Sequence, residues 1–491
     1  MPALTAAGGI APSNLGLRFS EDNDVPVAFA ASCVGTLALA QYAPGTVLPV
    51  PPHSQGGPAT VYGVATDTSG GKLRIAVGAI DAGPSAAGLV RLFSWSPGAE
   101  TTWTDIASPV PVGQSQFGGS VALSGQELFV SEPGTSSIHC FSLEAGGATW
   151  SQTIHFTQYW PRAILRHGPF LFVGNSADST YAGDVRVLQR GAAGWQVTNT
   201  LMAPAPAAQQ GFGGGLAVVA GQLAVSEWVS PAASCTGRVW LYPLNDLSAA
   251  PTLLPAPSGT SGCSLFGTGL SGSGTTLIVR ARDHSGPAVQ SGAAFFYEYT
   301  DALGWEQRLI LNPPFASSQL EWGISSNSND FAVTAGDGSG WQSFFQLSER
   351  GPSGWSPLET VLLPDGFRSF AWGNHIVEDT LFAPVFSAVG TEVAVLALAG
   401  DCDGDGLGDG LEIAMSPERD CNGDGTPDDC SPITACESDI NLDGETDGRD
   451  LSILVSAWGA AASDLGGDLN DDGLVDCLDL AMLLASWGTC E

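Results

Sequence analysis

Basic residues are scarce in this 491-residue chain. Lys and Arg together number 16 against 50 Asp and Glu, which gives a net charge of −34. With no basic stripe to neutralise phosphates, nucleic acid is excluded as a partner. Long apolar runs are also missing, so no membrane span is expected. The opening Met1-Pro-Ala-Leu-Thr-Ala lacks a basic start and an apolar core, and no secretory signal is evident there. The uncharged run from Val25 to Tyr42 follows Glu21, Asp22 and Asp24 and is interrupted by Pro26 and Gly35, so it reads as two strands. Catalytic signatures are absent too. None of the six His falls in HExxH, and no Gly-x-Ser-x-Gly elbow or Asp-box occurs. No CxxC pair or Cys/His cluster supports zinc.

What the chain has in plenty is glycine, proline and tryptophan: 64, 32 and 14 residues. With many β-branched residues and few charges, this composition points to a turn-rich all-β protein. An aromatic-Gly start recurs at Tyr62-Gly63, Phe117-Gly118, Phe212-Gly213, Phe266-Gly267, Trp322-Gly323 and Trp372-Gly373. Leu15-Gly16 and Trp160-Pro161 fill the remaining gaps, so the spacing runs from 43 to 56 residues. A third apolar run follows Gly88, Gly183, Gly237 or Gly292, and a fourth follows Gly-Trp at Gly194, Gly304 and Gly354. Four short strands in each unit of about 50 residues are the mark of β-propeller blades.

The phrase Phe117-Gly-Gly-Ser-Val-Ala-Leu-Ser-Gly, with its later Gly-x-Val-x-Leu strand, resembles FG-GAP repeats of the integrin α-chain kind. The resemblance covers residues 1–400 and implies a propeller of seven or eight blades. In such rings a strand from the N-terminus completes the last blade, and residues 3–6 are expected to do so. Calcium-binding members of that family carry an acidic loop inside the blades. The nearest stretch here, Ser20 to Val25, has Val25 where the turn needs Gly and reads as an ordinary acidic turn.

Acidity is concentrated at the end. Residues 401–491 hold 23 of the acids but only Arg419 and Arg449. Two loops of one design lie 29 positions apart. The first offers Asp439, Asn441, Asp443, Glu445, Asp447 and Asp450 at positions 1, 3, 5, 7, 9 and 12, and the second offers Asp468, Asn470, Asp472, Leu474, Asp476 and Asp479. Position 6 is Gly444 or Gly473, and position 7 would supply only its backbone carbonyl. This is the EF-hand loop pattern with Asp in place of Glu at position 12, a set of hard oxygens suited to Ca²⁺. One apolar helical segment follows each loop and ends in Trp458-Gly459 or Trp487-Gly488. Loop then helix, twice, resembles a type I dockerin module over residues 436–491. The resemblance implies bound Ca²⁺ and docking onto a cohesin-like protein or another cell-surface component. It also implies that loop positions 10 and 11 read the partner, here Gly448 and Arg449 or Cys477 and Leu478.

Between the two regions, residues 401–435 carry two shorter loops. One places Asp401, Asp403, Asp405, Asp409 and Glu412 at ligand positions, and the other Asp420, Asn422, Asp424 and Asp428. They resemble thrombospondin type 3 calcium repeats and suggest a calcium-stiffened spacer. Six of the ten Cys lie in 402–490, which favours oxidised pairs in an extracellular setting. A disulfide from Cys477 to Cys436 or Cys490 would hide the second docking surface.

Two function classes stay open. One is a secreted, non-catalytic binding protein whose propeller face takes a protein or glycan ligand. The other is a polysaccharide-degrading propeller enzyme carried on a dockerin. Glu132 and Glu227 sit at matching repeat positions (Val-Ser-Glu) and could in principle form an acid–base pair, but repeat equivalence at blade edges is the simpler account. Arg280, Arg282 and Asp283 read as a loop ion pair, and His284 as a solvated turn residue.

Overall fold

The computed structural model describes residues 47–54, 59–69, 72–95, 101–110, 112–144, 147–157, 160–176, 182–206, 210–227, 237–257, 265–285, 291–313, 324–326, 331–337, 343–352, 354–363, 374–387, 390–398, 407–416, 427, 438–441, 445–459, 467–469 and 474–489. Seven four-stranded antiparallel sheets account for nearly all the strands. Blade 1 is Val61–Asp67, Leu73–Ala79, Leu89–Trp95 and Thr102–Ala107; blade 2 is Val121–Ser124, Glu127–Glu132, Ser137–Glu144 and Gly147–His155. Blades 3 to 6 begin at Ala163–His167, Phe212–Val219, Phe266–Ser273 and Ile324–Ser326. Blade 7 consists of His375–Val377, Thr380–Ser387 and Gly390–Ala397, with Val47–Pro49 as its fourth strand.

First strands of successive blades are neighbours, and that of blade 7 touches that of blade 1, so the ring is closed. The fold is a seven-bladed β-propeller. Seven of the eight repeat starts open a blade; Leu15-Gly16 lies outside the described residues, and the ring is complete without it.

Closure differs from expectation in the strand used. Val47–Pro49 pairs antiparallel with blade 7, Leu48 opposite Val393, whereas residues 3–6 lie outside the described residues. The closing strand leads directly into blade 1, which keeps the connection short. Thr391 Oγ1 also donates to Ala59 O at 2.6 Å, tying the same junction. Val25 to Tyr42 and the Ser20 turn fall outside the described residues as well.

Simple in–out alternation is lost in the second strands. In blade 1, Leu73, Ile75, Ala76 and Val77 are all fully buried, because each blade has a neighbour on both faces. The outer strands are the polar ones: Thr102–Ala107 is exposed except for Ile106.

The aromatic-Gly repeat has a steric cause. Gly88, with φ +98°, faces the carbonyl of Phe117 in the next blade so closely that a Cβ would sit 2.0 Å from that oxygen. Gly183 meets Phe212 O in the same way at 2.1 Å, and Gly237 meets Phe266 O at 1.6 Å. Each Phe ring is buried below this junction, contributing about 1.5–3 kcal/mol. Blade 3 opens with Trp160-Pro161 instead of Phe-Gly, and the residue before the third strand of blade 2 is Ser136, not Gly.

After blade 7 the chain folds back as α1 (Asp409–Met415). Leu407, Leu411 and Met415 join the core shared by Val61, Val77, Phe382 and Val393. Asp379 accepts from Gly410 N at 2.8 Å and Leu411 N at 3.0 Å, while Gly408 N donates to Thr380 Oγ1 at 2.8 Å. The segment expected to open a spacer is thus packed onto the propeller. Its acids Asp409 and Glu412 are buried, whereas Asp401, Asp403, Asp405, Asp420, Asn422, Asp424 and Asp428 lie outside the described residues.

Candidate functional site

The paired loops near the C-terminus fold as two copies of one unit. Helix α2 (Gly448–Ser456) and helix α3 (Cys477–Ala485) each begin with a capping box. Asp447, at loop position 9, accepts from Arg449 N at 2.7 Å, and Asp476 accepts from Leu478 N at 2.8 Å. The position-12 carboxylates, Asp450 and Asp479, are fully buried. Asp450 accepts from Asn441 N at 3.0 Å and Asp447 N at 2.8 Å, so it draws both ends of its loop together. Asp479 does the same with Leu469 N at 2.6 Å and Asp476 N at 2.8 Å.

The copies also clasp each other. Glu445–Thr446 pairs with Gly488–Thr489, so the Trp-Gly end of the second unit binds position 8 of the first loop. Reciprocally, Gly459 N donates to the Val475 carbonyl, position 8 of the second loop, at 2.8 Å. Gly459 needs φ +76° to do this, which explains the glycine after each Trp. Leu454, Ala457, Val475 and Leu483 form the small core, with Ile440, Leu451, Leu469 and Leu480 packed around it. The reciprocity supplies the approximate two-fold of the pair, and it was not legible in the loop spacing alone.

The chemistry of the donors suits Ca²⁺. Asp439, Asn441, Asp447 and Asp450 of the first loop, and Asp468, Asp476 and Asp479 of the second, offer hard oxygens, with the Leu474 carbonyl available from the backbone. The Asn441 Nδ2 is buried without a hydrogen-bond partner. Turning that amide over would aim its oxygen into the same space, as a cation requires. Asp443, Asn470, Asp472 and the Glu445 side chain lie outside the described residues. Among the described residues, no three His, Cys, Asp or Glu side chains converge.

Cys477, at the first turn of α3, is a free and exposed thiol, so no disulfide hides position 10 of the second loop. Cys140 is the opposite case: 2% exposed, its thiol is pushed up to about 12 chiefly by burial. A maleimide should therefore label Cys477 within minutes in the folded protein and Cys140 only after unfolding. Peptide mass spectrometry reads both, and an unlabelled Cys477 would contradict the assignment.

In the propeller, the two carboxylates at matching repeat positions are not at exposed edges; both are 1% exposed. Glu132 Oε1 accepts from Ser115 Oγ at 2.7 Å, and its Oε2 meets His139 Nε2 at 2.7 Å and Thr135 Oγ1 at 2.9 Å. Burial pushes the Glu132 carboxyl up, but hydrogen bonds from His139, Ser115 and Thr135 outweigh it and hold the group below the usual carboxylate range. Glu227 accepts from Trp240 Nε1 and pairs with Arg238 at 3.5 Å. They lie in separate blades, each consumed by its own partners, and form no acid–base pair.

Arg282 pairs with Asp283 at 2.9 Å as expected, but Arg280 instead donates to Thr268 O at 3.1 Å. His284 is buried, not solvated, and packs its ring 5.3 Å from that of Phe295. Burial pushes its pKa down, and it pushes that of His375 down to about 4. Unfolded His titrates near 6.5, so stability is full above that pH and falls as pH drops toward the folded value. The melting temperature should decline between pH 6.5 and 4.5, and His375→Gln should flatten that decline. An unchanged slope in the variant would reject His375 as a contributor.

No protein-family model matches the chain, and no curated protein matches it. Solved structures do. A chain of the mitotic checkpoint complex aligns at 12% identity and TM-score 0.47, covering 80% of this chain and 100% of that one. The WD40 β-propeller domain of Doa1 aligns at 14% identity and TM-score 0.46, covering 72% and 95%. Hsv2 of Kluyvelomyces marxianus aligns at 9% identity and TM-score 0.41, covering 67% and 93%. The blade count here rests on strand pairing and not on these likenesses. Among the described residues, no helix is long and apolar enough to cross a membrane.

Proposed function

We propose that the chain is a secreted or cell-surface binding protein. Its propeller presents a ligand surface. Residues 436–491 form a dockerin-like, calcium-dependent module that fastens it to a cohesin-like protein. The observation that carries this reading is the duplicated loop–helix unit, with fully buried Asp450 and Asp479 closing both loops and the Asn441 amide left for a cation. A purely solvated acidic tail would have no reason to bury a carboxylate at the same position twice. The two matching carboxylates of the propeller, Glu132 and Glu227, are consumed by partners in their own blades, which favours binding over catalysis.

Binding of a purified cohesin-type domain to the full-length protein, measured with Ca²⁺ and with chelator, tests the reading. Binding should appear with Ca²⁺ and vanish without it; no binding of the parent in Ca²⁺ would reject docking. Arg449 is exposed at position 11 of the first loop and is no ligand. Arg449→Glu should reduce partner affinity at least tenfold with Ca²⁺ affinity nearly intact, and equal binding would reject the first copy as the contact face.

A further inference from the structure

The outer strands of blades 1 and 2 leave two indole rings in solvent. Trp103 and Trp150 are each 51% exposed, more than any other described tryptophan of the propeller, and their strands are neighbours. Neither ring is loose. The Arg91 guanidinium lies 5.4 Å from the Trp103 ring centroid. It is fixed by Asp105 at 2.6 and 2.8 Å and donates to Pro49 O at 2.8 Å. Trp150 Nε1 donates to Thr153 Oγ1 at 3.0 Å. The Trp103 ring is thus backed by a cation and packs 6.2 Å from the Phe93 ring, with about half of its surface left in solvent.

Two cavities, each holding an ion-paired carboxylate, open along these outer strands. The first, about 340 Å³, is lined by Pro51, Pro52, His53, Ser54, Pro84 and Asp105. Asp105 stands two residues from Trp103, on the same strand face and roughly 7 Å along it. The second, about 300 Å³, is lined by Glu127, Ser151, Gln152, Arg190 and Trp195 on the blade 3 side of blade 2, whereas Trp150, opposite Phe141, faces blade 1. Glu127 Oε1 accepts from Arg190 at 3.0 Å and from Trp195 Nε1 at 3.1 Å.

An exposed indole face accepts the C–H face of a pyranose ring, and an arginine-paired carboxylate accepts hydroxyl donors with its remaining lone pairs. Cavities of this size hold a small polar ring. Two exposed indoles on neighbouring outer strands suit a ligand that itself repeats. A net charge of −34, with a carboxylate in each cavity, argues against a polyanion. We propose that the outer edge of blades 1 and 2 binds a neutral polysaccharide chain, with Trp103 and Trp150 stacking on sugar rings and Asp105 accepting a hydroxyl of the ring held on Trp103. This rests on the binding-protein reading of the propeller but not on the calcium-dependent module.

Affinity electrophoresis of the full chain tests it, in gels containing mixed-linkage β-glucan, xylan or galactomannan, with polygalacturonate as the anionic control and chelator throughout. At least one neutral polymer should retard the protein and polygalacturonate should not. Trp103→Ala and Trp150→Ala should each weaken retardation at least tenfold, and the double variant should abolish it. Trp150→Phe, which keeps an aromatic face, should retain most of the binding, and unchanged melting confirms that each variant is folded. Unretarded migration in all three neutral polymers, retardation by polygalacturonate alone, or alanine variants that bind like the parent would overturn the proposal. Binding that appears only when Ca²⁺ is restored would assign it to the module and overturn the rim site, leaving the docking reading standing.

Discussion

Gly88→Ala is expected to destabilise the propeller by about 2–5 kcal/mol, the sum of two separate costs. The φ of +98° strains any residue with a Cβ, at roughly 1–2 kcal/mol. The added methyl would also sit 2.0 Å from Phe117 O and 2.8 Å from Phe117 N, both backbone atoms that cannot swing aside. Relieving that clash requires the two blades to separate, an overpacking cost of about 1–3 kcal/mol. Gly125→Ala is the control: φ is +58°, but nothing lies within 4 Å of its Cβ, so only the strain remains. Urea unfolding of the two variants should show the larger loss at Gly88. Equal losses would mean that backbone strain, and not the inter-blade junction, explains the repeat's glycines.

That junction is where sequence and structure speak most directly to each other. Phe-Gly in one blade and Gly before the third strand of the preceding blade are two halves of one close approach, so both halves repeat in the text. Where one half is lost, at Trp160-Pro161, the other is lost too, at Ser136. The blade count was left open because repeat spacing says how many units exist but not which strand closes the ring. Val47–Pro49 is only three residues and carries no repeat signature. Burial at Glu132, Glu227 and His284 was equally hidden. A polar side chain at the end of a strand looks solvent-facing until the neighbouring blade is known to cover it. In the tail, the order of loop then helix in both units was readable from spacing and apolar pattern, since each element is local. The reciprocal clasp through Gly459 and Gly488 joins residues far apart in the chain, and only the packed pair of helices reveals it.

Calcium should order the tail, and Asp450→Asn should remove one loop from that response. Asp439, Asp447 and Asp450 fall within the twelve residues of one loop, and a metal site that gathers such carboxylates sets like charges against one another, at roughly 4 kcal/mol for a pair 4 Å apart at the effective dielectric of a protein surface. A module this small has little core to oppose such repulsion, with four fully or nearly fully buried residues at its centre. A bound cation turns the repulsion into attraction, and that binding counts as folding free energy. Circular dichroism of the full-length protein should therefore gain helix on adding Ca²⁺ and lose it with chelator. In Asp450→Asn the amide would set an N–H against the N–H of Asp447 or Asn441, since both carboxylate oxygens now accept from backbone donors. Losing a hydrogen bond to a charged acceptor at a buried site costs about 1.5–3 kcal/mol. Calorimetry should show one fewer equivalent of tightly bound Ca²⁺, with the second loop still responding through Asp479. The matching Asp479→Asn variant should spare the first loop, and the double variant should leave residues 436–491 without a calcium-dependent helix signal. A parent spectrum and melting curve that ignore both Ca²⁺ and chelator would remove the basis for a calcium-dependent module.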